Sequence, residues 1–104
     1  MPKTPTPPPP LTPTGLAVLL AFKAGIDPYR GGAPGIRCTG GYHPGTVLIE
    51  AVGFGVNEFA PTMHAPAAYA AIHAAEVACL DAGLEVTAAP HRMSNFPARL
   101  VRRK

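Results

Sequence analysis

The sequence predicts a small α+β domain: a four-stranded, mostly antiparallel sheet with two helices on one face, in the order α-β-β-α-β-β, behind a flexible proline-rich N-terminal arm. Three observations carry that prediction. Two helix-forming runs each stop at a glycine followed by a large aliphatic residue, Gly25-Ile26 and Gly83-Leu84, where a left-handed residue and a hydrophobic contact close a helix. A β-rich stretch, Thr46 to Val52, follows a Pro-Gly turn, the pattern of a hairpin arm. Pro5, Pro7, Pro8, Pro9, Pro10 and Pro13 lack amide donors, so the segment before residue 14 joins neither a helix interior nor a sheet ladder.

Residues 1–13 are therefore expected to form a disordered polyproline-II arm, and residues 14–104 a single domain. Pro7 and Pro10 have P-x-x-P spacing, but Lys3 stands at the wrong offset for a basic-flanked SH3 ligand. A spacer or tether fits better. The first helix runs from Gly15 to Ala24, with Thr14 as its cap, Gly25 as its stop and Asp27-Pro28 barring continuation. Leu16, Val18, Leu19, Leu20 and Phe22 surround it with apolar side chains, and Lys23 is its only charge. Such a helix is buried on more than one side or offers part of its surface for contact.

Tyr29 to Gly35 is a glycine- and proline-broken loop. Ile36 to His43 and Thr46 to Phe54 are the arms of a hairpin around His43-Pro44-Gly45-Thr46. In its second arm Val47, Ile49 and Ala51 share one face, and Leu48, Glu50 and Val52 the other. The mixed second face predicts a central or half-covered strand. A loop carrying Phe54 and Phe59 leads to the second helix, about Ala65 to Ala82, with Pro66 in its first turn. Ala68, Ala71, Ile72, Ala75, Cys79 and Ala82 give that helix a small-residue face able to approach a sheet closely. Leu84 to Ala89 and Ala98 to Arg103 read as two strands joined by Pro90 to Pro97.

Composition narrows the function classes. Hydrophobic residues make up 47% of the chain, but much of that is alanine and there is no Trp. Each large apolar side chain contributes about 1.5–3 kcal/mol when buried, against about 1–2 kcal/mol per residue for backbone ordering. The thin core predicts a homo-oligomer or a protein partner. Net charge is +3 and only 14% of residues are charged, about half the usual share. Cys38 and Cys79 match no metal or redox spacing, which predicts a cytoplasmic protein without a disulfide framework. The apolar run Gly15 to Phe22 is too short to span a membrane, and the proline tract does not fit a secretory signal.

The strongest binding constellation is His91, Arg92, Ser94 and Asn95 in the loop joining the last two strands. A guanidinium beside a hydroxyl and an amide can hold a phosphate or carboxylate, and sheet-borne loops are where binding residues gather. The plain structural alternative is a polar hairpin loop closed by two prolines. A nucleic-acid surface is the other candidate: Tyr42 and His43 for stacking, with Arg99, Arg102, Arg103 and Lys104 for phosphates. Cross-strand packing of Tyr42 and a solvated basic strand end explain the same residues without a ligand.

No catalytic residues are assigned. There is no Walker A sequence, no nucleophile elbow and no dinucleotide fingerprint, and the carboxylates are scattered. His73 and Glu76 lie three apart on one helix, but no paired metal-ligand spacing exists. Neither a metal nor a cofactor is expected. The reading that follows is a small non-enzymatic binding or adaptor domain acting through self-association or protein partners, with a nucleic-acid module as its alternative.

Overall fold

In the computed structural model, the described residues are 10–31, 33–41, 43–54, 66–90 and 96–104. Two helices and four strands follow in the predicted order: α1 (Pro13–Ala24), β1 (Gly35–Gly40), β2 (Thr46–Val52), α2 (Pro66–Asp81), β3 (Leu84–Ala88) and β4 (Ala98–Arg103). The sheet order is β1-β2-β4-β3 and every neighbouring pair is antiparallel.

Both helices lie on the sheet face that carries Ile36, Val47, Ile49, Ala51, Leu84 and Val101. These side chains form one buried cluster with Leu16 and Leu20 of α1 and Ala68, Ile72, Ala75 and Cys79 of α2. The alanines let α2 sit close to the sheet, while Ile72 supplies its largest core side chain. β2 is central, and all its residues from Val47 to Val52 are buried on both faces. That agrees with the mixed pattern of its sequence.

The glycine stops form as expected. Gly25 takes φ 63°, its N–H donates to the Ala21 carbonyl at 3.1 Å, and the Ile26 N–H donates to the Leu20 carbonyl at 3.2 Å. The bond from Gly25 to Ala21 is the 5→1 closure of an αL helix end. Gly83, at φ 79°, ends α2 and leads into buried Leu84.

The start of α1 departs from the prediction. Thr12, not Thr14, is the cap: its Oγ1 accepts the Gly15 N–H at 3.0 Å, and Pro13 is the first helical residue. Thr14 lies inside the helix. Leu11 is buried and belongs to the core cluster, so the folded domain begins before residue 14. Pro10 and Pro13 flank an anchored leucine there. Residues 1–9, the remainder of the proposed arm, lie outside the described residues.

The chain is topologically two-fold. Each half supplies a helix, an edge strand and an inner strand, and the halves meet where Leu48 of β2 pairs with Leu100 of β4. On the face away from the helices, each half then carries a cross-strand ion pair at the equivalent place. Arg37 opposes Glu50 in one, and Glu85 opposes Arg102 in the other.

Candidate functional site

Of the residues singled out from sequence, Tyr42, His91, Arg92, Ser94 and Asn95 lie outside the described residues. The C-terminal anchor of the 91–95 loop is described. The Phe96 ring lies under the Arg37 guanidinium, 5.7 Å from it. The Pro97 carbonyl accepts the Ala51 N–H at 3.0 Å. That bond ties the residues just before β4 to β2.

The basic strand β4 does not present one cationic face. Side chains alternate across a strand, so Arg99, Val101 and Arg103 point to the helix side, and Leu100 and Arg102 to the other. Arg99 Nε stands 3.5 Å from Glu76 Oε1 on α2, and its Nη1 donates to the Ala98 carbonyl at 2.8 Å. Arg102 forms a forked pair with Glu85 directly across the ladder, Nε to Oε2 and Nη2 to Oε1, both at 3.1 Å. That hydrogen bonding holds the Glu85 carboxyl below its usual range and raises the Arg102 guanidinium above its own. A third arginine, Arg37, donates from Nε to Glu50 Oε1 at 3.0 Å. The bond to Glu50 raises its pKa against the opposing effect of burial. Three arginines thus spend much of their charge on three of the chain's six acidic residues.

One end of the sheet nonetheless gathers several candidates. The turn His43-Pro44-Gly45-Thr46 closes with the Thr46 N–H donating to the His43 carbonyl at 3.1 Å, and Gly45 has φ 80°. These are the marks of a Pro-Gly type II turn. The turn, the end of β4 and Leu11 together surround an open groove of about 310 Å³, lined by His43, Thr46, Arg102 and Arg103. His43, Arg102, Arg103 and Lys104 are all exposed. His43, Arg102 and Arg103 line this groove, whereas Arg99 lies outside it and pairs with Glu76.

The two thiols are poor nucleophiles. Burial pushes Cys38 up to about 12 and Cys79 up to about 11, with smaller contributions from the Cys79 thiol on the first and Glu76 on the second, and both are free. His73 Nδ1 lies 3.7 Å from Glu76 Oε2. Among the described residues no three His, Cys, Asp or Glu side chains converge as metal ligands. No described helix is long and apolar enough to cross a membrane.

A second surface was only half legible in the sequence. Phe22 is 86% exposed, Leu80 51% and Val18 50%, with Tyr69 and Val77 also exposed. Val18 and Phe22 stand one turn apart on α1; Tyr69, Val77 and Leu80 recur at helical spacing on α2. The helix layer thus exposes apolar side chains on its outer side, alongside Lys23, His73 and Asp81. The all-round apolar character of α1 was the available signal; on α2 it was hidden among alanines. No family model, no curated protein and no solved structure matches the chain.

Proposed function

We propose that this chain is a small non-enzymatic association domain that pairs with a second copy of itself through the outer side of its helix layer. The reading rests on the exposure of Phe22, Val18, Leu80, Tyr69 and Val77 on two neighbouring helices. Apolar side chains gathered on one surface mark interaction sites. Charge favours a second copy as the occupant. The layer carries exposed Lys23 and Asp81, while Glu76 is compensated by Arg99, so it is close to neutral on a chain of net charge +3. A contact in which one patch meets itself needs that neutrality. The free cysteines fit a reducing, cytoplasmic setting.

Sedimentation equilibrium across a micromolar concentration series tests the reading. The mass is expected to rise towards twice that of the chain. Phe22→Glu with Leu80→Glu is expected to hold it at the monomer while leaving the circular dichroism spectrum intact, since both side chains point to solvent. Leu19 and Ala71 are unsuitable for this purpose, because both pack against the core. A wild-type chain that stays monomeric throughout overturns the proposal.

The nucleic-acid alternative retains one support, the grouping of His43, Arg102 and Arg103 about the groove. Against it stand the ion pairs of Arg99 and Arg102 with carboxylates on opposite faces. Phosphate-backbone binding weakens steeply with salt, and a chain that binds DNA and RNA no better at low salt has no such role.

A further inference from the structure

We infer that the second copy docks with its helices antiparallel to their counterparts, so that the Leu80-Asp81 end of each α2 meets the Phe22-Lys23 end of the partner's α1. The inference rests on the self-association proposed above and specifies its orientation. Its starting point is the direction of the two helices. Only Ala82 and Gly83 separate α2 from β3, so the C-terminus of α2 lies at the start of β3. The chain leaving α1 runs beside the start of β1, where the Asp27 carbonyl accepts the Ile36 N–H at 3.0 Å and the Tyr29 N–H donates to the Ile36 carbonyl at 3.1 Å. Those two strand starts are at opposite ends of the sheet. Gly35 pairs with Val52 at the end of β2, Leu84 pairs with Arg103 at the end of β4, and β2 and β4 are antiparallel. The helices therefore run in opposite directions, with Lys23 at one end of the layer and Asp81 at the other.

Each end carries a large exposed apolar side chain next to an exposed charge: Phe22, 86% exposed, beside Lys23, and Leu80, 51% exposed, beside Asp81. The ends are alike in apolar character and opposite in sign. Neither charge forms an ion pair with another described residue. Asp81 also stands at the unfavourable end of its helix, since a carboxylate is repelled by the C-terminal carbonyls, and α2 has no basic residue in its last turn. A two-fold contact between the layers can set like helices parallel or antiparallel. The parallel setting puts Lys23 at the end where the partner's Lys23 stands, and Asp81 at the end of the partner's Asp81. The antiparallel setting gives Asp81 the cation that its own helix lacks, and does so twice in the dimer. Apolar contact supplies most of the affinity; the charges choose the orientation.

Sedimentation equilibrium of the full chain at low ionic strength, where exposed charges are least screened, tests the orientation with three variants: Lys23→Glu, Asp81→Lys and the two combined. Both positions are exposed, and the unfolding midpoint of each variant confirms that the fold persists. Each single reversal sets like charges together at two places in the contact and is expected to weaken dimerisation about tenfold, as two small exposed-pair terms add. The combined reversal re-forms both pairs with their signs exchanged, and is expected to return to within about threefold of the wild-type dissociation constant. Wild-type affinity in both single variants overturns the inference. It is the result of the parallel setting, where a reversal merely exchanges one like-charged pair for another. A combined variant that dimerises no better than the weaker single variant overturns it too. In both cases the wild-type chain still dimerises, so the association through the helix layer stands and only its orientation is lost. A wild-type chain that stays monomeric removes the association and the orientation together.

Discussion

Among the described residues Glu50 is the one buried charged side chain, at 3% exposure on a central strand. Its carboxylate is separated from water and bonded to Arg37, whose guanidinium in turn covers Phe96. Removing one partner of such a pair leaves an uncompensated buried charge, which costs far more than the pair itself contributes. Arg37→Ala is therefore expected to lower unfolding free energy by about 2–3 kcal/mol, the range for hydrogen bonds to charged groups. Glu50 keeps further interactions, which holds the loss below the extreme for a fully buried ion. Arg37→Met with Glu50→Leu should recover part of it, because the apolar pair removes the stranded buried charge. Urea denaturation of the single and double variants checks both values. A double variant as weak as the single would mean that packing around Phe96, not the stranded charge, sets the cost.

At the scale of one element, the entry to α1 decides where the domain begins. Counting from the Thr12 cap, Leu11 and Leu16 stand at the two places where a hydrophobic staple fixes the incoming chain, and both are in the core. Leu11→Ala is expected to destabilise by about 2 kcal/mol, the lower end for large-to-alanine core changes, and Thr12→Ala by about 1 kcal/mol through the lost cap. Thr14→Ala should be neutral. Equal effects at Thr12 and Thr14 in thermal denaturation would contradict the observed start. Much of this element was legible: Gly25 and Ile26 marked its end, and the all-round apolar run marked its length. Its beginning was not, because Pro13 reads as a helix breaker everywhere except the first helical position, and a lone leucine among prolines carries no periodicity. The turn at 43–46 and the core face of β2 were legible for the opposite reason, since each is set by residues adjacent in the chain. The groove was not legible, because it joins Leu11, the 43–46 turn and the end of β4, three segments far apart in sequence.

For the whole molecule, strand order is what local patterns leave open. Insertion of β4 between β2 and β3 places Arg102 opposite Glu85 and makes β1 and β3 the edges. An unpaired edge is itself a route to association, which competes with the helix layer as the place where two copies would meet. The edges carry charges that discourage strand addition, Arg37 on β1 and Glu85 on β3, whereas the outer helix surface carries Phe22 and Leu80 in the open. Hydrogen exchange separates the two routes. Amides of β2 (Thr46–Val52), paired on both sides and buried, are expected to exchange most slowly, and those of β1 (Gly35–Gly40) and β3 (Leu84–Ala88) faster. Raising the protein concentration should slow exchange in α1 and α2 and leave β1 and β3 unchanged. Protection appearing at β1 or β3 instead would put the contact at the sheet edge, and the exposed helix side chains would then need another partner.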